Sequence, residues 1–326
     1  MKKALKIIGV LLLLVVLFAV GGIIYLNSAF PKVGAAKEIK VEITPERLAR
    51  GEYLAKNVSG CVDCHSMRDW SLYGGPRIPG TEGKGGEKFD KALAGIPGVV
   101  YPRNITPAGI GDWTDGELLR MITTGVNKKG EAMFPIMPYM HYRNMSQEDL
   151  YSIIAYIRSL KPIENKIPDR TLEFPMNLIV KTIPEPQPES FPSIPSKSDT
   201  IAYGQYMTNA ATCFDCHTKL EKGKVIPGTE FSGGMTFCMN GNCVTSANIT
   251  PDNETGIGLL SKEDFLNKFR FYRDSAANKI PVVDGKQTAM PWQFYCGMTD
   301  EDLGAIYAYL RTVPAVKHKV EKFTKQ

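Results

Sequence analysis

The chain has 326 residues, of which 43% are hydrophobic and 22% are charged, a balance typical of folded domains and not of disordered chains. Its length allows two ordinary domains. The formal net charge of +5 comes from the two ends, because residues 44–312 contain 29 basic and 31 acidic side chains. A folded body without an excess of basic residues is not expected to bind nucleic acid.

The first predicted element is an apolar segment at the N-terminus. Three lysines precede the uncharged residues 7–26, and about twenty apolar residues in a helix cross the hydrocarbon core of a bilayer. We therefore expect residues 1–30 to be a transmembrane anchor. A cleaved signal peptide is the alternative, although Asn27 makes "LNSAF" a poor cleavage site. Either outcome predicts the bacterial inner membrane with the later domains in the periplasm, because the lysines stay inside.

The rest of the chain contains one sequence pattern twice. "GCVDCHS" and "TCFDCHT" are each followed by "IPGTE", "NITP" and a Met-Pro pair in the same order, which indicates a duplicated domain. We place the first repeat at 44–160 and the second repeat at 199–312. The proline-rich segment 161–198 is expected to be an extended spacer, because prolines restrict φ and lack a backbone donor. Residues 313–326 form a basic tail, in which we expect His318 to be solvated.

Helical patterns are clearest at the end of each repeat. Ser146 and Thr299 stand where N-caps are expected, and Asp149 and Asp302 follow at the position that completes a capping box. Apolar side chains then recur at helical spacing in both copies. The Gly- and Pro-rich segments between the helices show no such periodicity and are expected to be loops. The sequence therefore predicts an all-α fold of two small helical domains.

A Cys-x-x-Cys-His motif lies near the start of each repeat. Zinc sites, thioredoxin-like redox pairs and haem attachment all use Cys-x-x-Cys, but the histidine directly after the second cysteine selects c-type haem. Zinc would need further ligands, and His141 and His318 are the other two histidines in the sequence. We therefore predict two covalently attached haem c groups, bound by Cys61, Cys64, Cys213 and Cys216, with His65 and His217 as axial iron ligands.

One loop of the first repeat offers several candidates for the second axial ligand. The stretch "PIMPYMHYRNM" contains Met137, Met140, His141 and Met145. Met137 aligns with Met290, and a proline follows each of them. Met140 and His141 have no equivalent ligand in the second repeat. The repeat therefore predicts Met137 and Met290 as the iron ligands.

Met145 also aligns with a methionine, Met298. Both residues directly precede an N-cap, however, which is where a hydrophobic staple packs against the helix. Met145 with Met298, or His141, remain alternative ligands. His/Met ligation raises the reduction potential of a haem and leaves no open position on the iron. It therefore favours electron transfer over catalysis.

These motifs resemble those of a membrane-anchored dihaem member of the class I c-type cytochromes. The order "NITP", "GIG", "MP" is similar to that in the cytochrome c subunits of membrane-bound alcohol and aldehyde dehydrogenases, which typically carry three haems. The resemblance covers both repeats but not the anchor or the spacer. It implies three helices around each haem, with glycines and tyrosines at the crossing of the terminal helices: Gly51, Tyr156, Gly204 and Tyr309.

The resemblance also implies roles for residues near the haem edge or propionates. Asn104 and Trp113 are the residues implied in the first repeat. The second repeat retains Asn248 but has Leu259 or Leu260 in place of the tryptophan.

Three cysteines lie outside the haem motifs. Cys238 and Cys243 are expected to form a local disulfide in an oxidising compartment. Cys296 is then a buried, small apolar residue. The alternatives for Cys296 are a thiolate ligand to the second haem, as in some thiosulfate-oxidising dihaem cytochromes, or pairing with one of the other two cysteines.

We expect a periplasm-facing electron-transfer cytochrome, either a carrier or an electron-transfer subunit, rather than a stand-alone enzyme. Its donor would be a dehydrogenase or a quinol-oxidising complex, and its acceptor a cytochrome oxidase or a soluble cytochrome. No catalytic residue is expected. The alternative is a dihaem redox enzyme of the thiosulfate dehydrogenase or peroxidase type, which would use Cys296 or an open haem site.

Overall fold

The structure is a computed structural model that describes residues 1–221, 223–239 and 241–325. The α-helices within these residues are α1 (Lys2–Ala29), α2 (Pro45–Tyr53), α3 (Cys61–Cys64), α4 (Lys91–Ala94), α5 (Pro107–Ile110), α6 (Asp115–Thr124), α7 (Tyr139–Tyr142), α8 (Gln147–Ser159), α9 (Met176–Ile179), α10 (Thr200–Ala210), α11 (Cys213–His217), α12 (Lys262–Arg270), α13 (Trp292–Tyr295) and α14 (Asp300–Leu310). A π-helical turn, Leu54–Val58, continues α2, and 3-10 turns lie at Val180–Thr182, Phe271–Arg273 and Ser275–Lys279.

Short antiparallel strands accompany the helices. They are β1 (Phe89–Asp90), β2 (Gly98–Val100), β3 (Thr171–Leu172), β4 (Leu220–Glu221), β5 (Lys224–Val225), β6 (Thr236–Met239), β7 (Asn242–Thr245) and β8 (Phe323–Lys325). β2 lies between β1 and β3, β7 lies between β6 and β8, and β4 pairs with β5. The all-α prediction accounts for the helices and misses these strands, because strands of two to four residues are too short to produce a detectable alternation.

Helix α1 is long and apolar enough to cross a membrane by length and composition. It has 28 residues, which at 1.5 Å per residue gives a length of about 42 Å. Its side chains are exposed rather than packed on the rest of the protein. Where it ends, Asn27 accepts a hydrogen bond from Lys181. These features fit a membrane anchor.

The first and last helices of each repeat cross at a glycine. A Cβ atom on Gly51 would lie 1.9 Å from the carbonyl oxygen of Ser152, and one on Gly204 would lie 2.0 Å from that of Ala305. Backbones this close exclude any larger residue. Helix α2 therefore rests directly on α8, and α10 rests on α14, in the places that the resemblance implies.

The π-helical turn marks a difference in length between the repeats. Cys61 lies eight positions after Tyr53, whereas Cys213 lies seven positions after the equivalent Tyr206. The first repeat closes its extra residue into the π-helical turn, where Ser59 N donates to the carbonyl oxygen of Leu54. The extra residue is thereby contained in the segment that precedes the first Cys-x-x-Cys-His motif.

The two repeats bind each other through reciprocal tyrosine contacts. The Tyr206 hydroxyl donates to Asp149 Oδ2 at 2.6 Å and accepts from Ser146 N at 3.1 Å, both at the start of α8. The equivalent Tyr53 donates to Asp302 and accepts from the backbone of the N-cap of α14 at 3.2 Å. Each repeat thereby places one tyrosine on the N-terminus of the other repeat's last helix.

These contacts correct the prediction of two capping boxes. Ser146 and Thr299 are N-caps, and each accepts from the backbone N–H three residues ahead. Asp149 and Asp302 do not return to the N-cap, because their carboxylates bind the interface tyrosines instead. Asp149 is fully buried and also pairs with Arg50 at 2.8 Å.

The C-terminal tail packs on the second repeat, so the expectation that His318 is solvated is wrong. Strand β8 pairs with β7, and the half-buried ring of His318 donates from Nδ1 to the carbonyl oxygen of Ser232 at 2.9 Å. Strand β3, in the segment that follows the first repeat, likewise pairs with β2 of that repeat. The sequence pattern does not predict either strand pairing, because both depend on backbone hydrogen bonds rather than on side-chain periodicity.

Replacing Tyr206 with Phe tests the tyrosine contact between the repeats. The variant removes a donor to a buried carboxylate, and such bonds contribute about 1.5–3 kcal/mol. We expect the free energy of unfolding in urea to fall by about that amount. Tyr151→Phe is the control, because Tyr151 lies on α8, the helix whose N-terminus Tyr206 binds, and its ring contacts Arg47 of its own repeat. Equal losses in the two variants would contradict a role for Tyr206 in joining the repeats.

Candidate haem-binding sites

The two Cys-x-x-Cys-His motifs form short helices with free thiols. Cys61 and Cys64 belong to α3, and Cys213 and Cys216 belong to α11. All four are outside disulfides, and the second cysteine of each motif is exposed. Burial raises the pKa of Cys61 and that of Cys213 to about 12. The thiols are therefore protonated and available for covalent attachment at neutral pH.

Each motif histidine is oriented by a backbone carbonyl. His65 Nδ1 lies 2.6 Å from the carbonyl oxygen of Arg103, and His217 Nδ1 lies 2.7 Å from that of Ala247. A carbonyl can only accept, so Nδ1 carries the proton and Nε2 retains its lone pair. Burial lowers the pKa of both rings and outweighs the opposing effect of these bonds. Both imidazoles are thus neutral, with Nε2 free to bind a metal.

The two predicted methionine ligands occupy equivalent turns. Met137 and Met290 are half-buried and pack against the hydrophobic core. Each carbonyl accepts from the backbone N–H two residues ahead, at 2.8 Å for Met137 and 2.9 Å for Met290. The short helices α7 and α13 begin directly after these turns. Met145 and Met298, by contrast, are buried in the core at 0% and 2% exposure, as a staple requires.

His141 belongs to the boundary between the repeats. Its Nε2 lies 2.6 Å from Asp215 Oδ1, and its Nδ1 lies 3.0 Å from Asn209 Oδ1. Asp215 is the acidic residue inside the second Cys-x-x-Cys-His motif. Both ring nitrogens of His141 are therefore engaged with the second repeat, which does not favour His141 as an iron ligand. Burial of the ring opposes protonation, but the hydrogen bond and charge of Asp215, together with the hydrogen bond to Asn209, outweigh it and raise the pKa of His141.

The three remaining cysteines divide as predicted. Cys238 and Cys243 form a disulfide with an S–S distance of 2.01 Å, which closes the hairpin of β6 and β7. Cys296 is buried, and its thiol donates to the carbonyl oxygen of Gln293 at 3.3 Å. Burial raises the pKa of Cys296, although Arg273 and Arg77 act in the opposite direction. A protonated thiol of this kind does not support a thiolate ligand.

Asn104 and Asn248 have equivalent contacts in the two repeats. Their amide nitrogens donate to the carbonyl oxygens of Ile163 at 2.8 Å and Val316 at 2.7 Å, just after the terminal helices. Their amide oxygens accept from the threonine two residues ahead. Each asparagine thus connects the segment after the terminal helix to the loop whose carbonyl binds the motif histidine. Their approach to a haem remains a prediction.

The position of Trp113 is matched by Leu260 rather than Leu259. The backbone N–H of Trp113 donates to Ile110 O, and that of Leu260 donates to Ile257 O. Leu260 packs against the core, whereas Leu259 is 80% exposed. The placement of Trp113 beside a haem stays a prediction.

The donor set fits haem better than it fits zinc. No group of three or more His, Cys, Asp or Glu residues that could hold a metal ion occurs in the described part of the chain. Two buried polar atoms have no hydrogen-bond partner among the described residues: Tyr139 Oη, two residues after Met137, and Arg170 Nη1, in the segment that follows the first repeat. Burial lowers the pKa of Arg170. A buried cation beside an unpaired hydroxyl suits a carboxylate, such as a haem propionate.

A family comparison covers the second of these sites. The family model for cytochrome c matches residues 201–314, which include Cys213, Cys216, His217 and Met290. Residues 201–314 form a cytochrome c domain. Covalently bound haem c is the cofactor of this kind of domain, which agrees with the free thiols and the free Nε2 of the cytochrome c motif.

Curated relatives extend the similarity to both repeats. The alcohol dehydrogenase (quinone) cytochrome c subunit of Gluconacetobacter polyoxogenes is 27% identical over 290 residues, covering 84% of this chain and 58% of that protein. The gluconate 2-dehydrogenase cytochrome c subunit of Pantoea cypripedii is 27% identical over 296 residues, covering 84% and 61%. A diheme cytochrome c-type protein of Cereibacter sphaeroides is 26% identical over 266 residues, covering 79% and 83%. The chain thus spans about three fifths of the length of the two dehydrogenase subunits.

Several residues of these candidate sites are not predicted by the sequence. Arg170 lies in the segment expected to be a spacer, and the haem motif does not specify which residue occupies position 215. The repeat itself contained a signal for Asp215, because Asp63 occupies the same position in the first motif. Asp63 pairs with Arg68 of its own repeat at 3.1 Å, whereas Asp215 pairs with His141 of the other repeat.

The raised pKa of His141 gives a pH-dependent contribution to stability. The folded state binds this proton more tightly than the unfolded state, so the contribution is complete below the unfolded pKa of about 6.5 and is lost as pH rises through the folded value. We expect the difference in unfolding free energy between the natural protein and His141→Gln to shrink as pH increases. Urea unfolding at several pH values measures it. If the stability of Asp215→Asn depends on pH in the same way as that of the natural protein, the contribution does not come from the pair of His141 and Asp215.

Proposed function

We propose that the protein is a membrane-anchored dihaem c-type cytochrome that transfers single electrons. The observation that carries this proposal is the equivalent orientation of His65 and His217, whose Nδ1 atoms bind backbone carbonyls and leave Nε2 for iron. Each repeat presents this histidine with two free thiols and one methionine turn. Two tandem class I cytochrome c domains follow from this duplication.

Each repeat is proposed to hold haem with two cysteines, one histidine and one methionine. They are Cys61, Cys64, His65 and Met137 in the first, and Cys213, Cys216, His217 and Met290 in the second. Haem c, when bound, supplies reversible one-electron chemistry between ferrous and ferric iron. The carbonyl bond at each histidine Nδ1 increases the basicity of Nε2, and the soft methionine thioether favours the ferrous state. Tyr139 and Arg170 would bind a propionate of the first haem.

The repeat boundary supports electron exchange between the two haem sites. His141 links the end of the first methionine loop to Asp215, inside the second haem motif. Phe294 of the second repeat lies beside Gly60, which directly precedes the first haem motif, because a Cβ on that glycine would be 3.8 Å from its ring. The attachment motifs therefore face a common boundary. Reciprocal tyrosine bonds keep this boundary closed, so the spacing of the two sites does not depend on a flexible linker.

The proposed location is the periplasmic face of the bacterial inner membrane, with α1 as the anchor. The lysines at the start of α1 would remain on the cytoplasmic side. Two of the named relatives are cytochrome c subunits of dehydrogenases, which supports a dehydrogenase as the electron donor. A quinol-oxidising complex is the other proposed donor, and a cytochrome oxidase or soluble cytochrome is the proposed acceptor.

An electron-transfer role is favoured over a thiosulfate dehydrogenase or peroxidase. The first would use Cys296 as a thiolate, but its thiol donates to a carbonyl and its pKa is raised. The second would need one haem iron with an open position. The equivalent methionine turns of the two repeats support ligation at both irons, so we propose no catalytic residue.

The ligand assignment predicts the spectra of two single variants. Met137→Ala and Met290→Ala should each remove about half of the far-red charge-transfer band of methionine-ligated ferric haem, because each opens one of two irons. Each reduced variant should also bind one carbon monoxide per chain, measured by optical titration. Met140→Ala is the matched control, since Met140 lies in the same loop without an equivalent in the second repeat. Loss of the band in the control, with no change in Met137→Ala, would overturn the assignment.

The number of haems is tested separately. The natural chain should carry two covalent haems, and Cys213→Ser combined with Cys216→Ser should leave one. Intact mass spectrometry of the purified protein, together with haem absorbance per chain, measures this number. A chain that retains two covalent haems after the double substitution would contradict attachment at the second motif.

A further inference from the structure

A loop of the first repeat lies directly against the loop that carries Met290. Residues 69–75 run beside residues 280–293, and an isolated antiparallel bridge joins Leu72 to Pro281. Backbone hydrogen bonds on either side of this bridge run from Tyr73 N to Ile280 O at 2.8 Å and from Val282 N to Ser71 O at 3.3 Å. The second methionine loop is therefore bordered by the first repeat.

The side chain of Gln287 joins these two loops more extensively than any backbone bond. It is only 7% exposed. Its Oε1 accepts from Gly74 N at 2.8 Å, and its Nε2 donates to the carbonyl oxygens of Trp70 at 3.1 Å and Leu72 at 2.9 Å. The amide thus binds three backbone groups of the first repeat. A buried amide with all of these partners has a single favourable position.

The contacts continue from Gln287 to Met290. Gln287 Oε1 also accepts from Thr288 N at 2.8 Å, and the Thr288 hydroxyl accepts from Met290 N at 3.1 Å. On the other side of Met290, Gln293 Nε2 donates to the carbonyl oxygen of Tyr73 at 2.6 Å. Met290 is therefore bracketed by two glutamines that bind the backbone of the other repeat.

The first repeat has no equivalent of this bracket. The positions that match Gln287 and Gln293 are occupied by Phe134 and Met140, whose side chains contain no amide. The loop that matches residues 69–75 is replaced in the second repeat by the β4–β5 hairpin, where Leu220 is 41% exposed. The duplication thus does not account for the two glutamines, and they point to a requirement of the second site alone.

We propose that Gln287 and Gln293 are positioning residues that use the first repeat to hold Met290 at the second haem site. This inference rests on the proposed ligation of that haem by Met290. A methionine thioether is a weak ligand, so its retention depends on how well the protein orders its loop. Breaking the bracket releases Met290 and opens the second iron, while the first site keeps both of its ligands.

The first experiment replaces Gln287 with Ala in the full-length protein carrying both haems. We expect the far-red charge-transfer band to fall towards half of its natural amplitude, and the reduced protein to bind up to one carbon monoxide per chain. The haem content should remain at two per chain. Lys286→Ala is the control, because Lys286 is the exposed neighbour of Gln287. It should leave both signals unchanged.

A second experiment disturbs the bracket from within the first repeat. A Cβ atom on Gly74 would lie 2.4 Å from Gln293 Oε1, at a φ of +79°. Gly80, in the same segment, has the same φ of +79° and no atom within 4 Å of its Cβ position. Both alanine variants therefore carry the same backbone strain, and only Gly74→Ala displaces the glutamine. We expect Gly74→Ala to open the second haem, although it lies in the first repeat, and Gly80→Ala to have no effect.

Hydrogen exchange of the amides in residues 280–293 provides a readout that does not depend on haem spectra. Faster exchange there in Gln287→Ala and Gly74→Ala, but not in their controls, is expected. If Met290→Ala itself leaves the band and carbon monoxide binding unchanged, the ligation underlying the proposed function is wrong. If Met290→Ala opens the second haem but Gln287→Ala and Gly74→Ala do not, the ligation stands and the inference about the bracket is overturned.

Discussion

The buried bonds between tyrosines and carboxylates at the repeat boundary support the rest of the arrangement. Asp149 and Asp302 each lie in the first turn of a terminal helix, where backbone N–H groups already favour a negative charge. A tyrosine from the opposite repeat completes the hydrogen bonding of each carboxylate, and Asp149 also pairs with Arg50. Without that donor, a buried carboxylate would lose part of its solvation, so each repeat depends on the other for a satisfied core.

Around this boundary the two copies have diverged in how they neutralise the same charge. Asp63, in the first motif, is bound by Arg68, whose side chain is 8% exposed and lies 4.4 Å from the ring of Trp70. Asp215, in the second motif, is bound by His141 of the other repeat. The partner of Asp63 is therefore a permanently charged side chain of the same repeat, whereas the partner of Asp215 belongs to the other repeat and has a charge that varies with pH. The acid of the second motif is thus paired by the other copy, whereas the acid of the first motif is paired within its own repeat.

Much of the fold and of the site could be predicted because their signals are local. Ser146 and Thr299 are recognisable as caps, and Met137 and Met290 can be matched by counting along the repeat. The roles of Asp149, Gln287 and Arg170 could not be predicted in this way. The partners of Asp149 and Gln287 lie in the other repeat, and Arg170 itself lies in a segment that looks like a spacer. A single sequence contains no information about which surfaces meet. The two- to four-residue strands were missed for a related reason, since their pairing is made by the backbone.

The π-helical turn before the first motif has a consequence for how such repeats tolerate change. An added residue in a regular helix rotates everything after it by about 100°. Here the turn at Leu54–Val58 absorbs the insertion, because Ser59 N reaches one residue further back, and His65 and His217 still bind equivalent backbone carbonyls. Helix α2 and the haem motif can therefore evolve in length independently of each other. Sequence alignments that require uniform spacing between them would miss genuine copies.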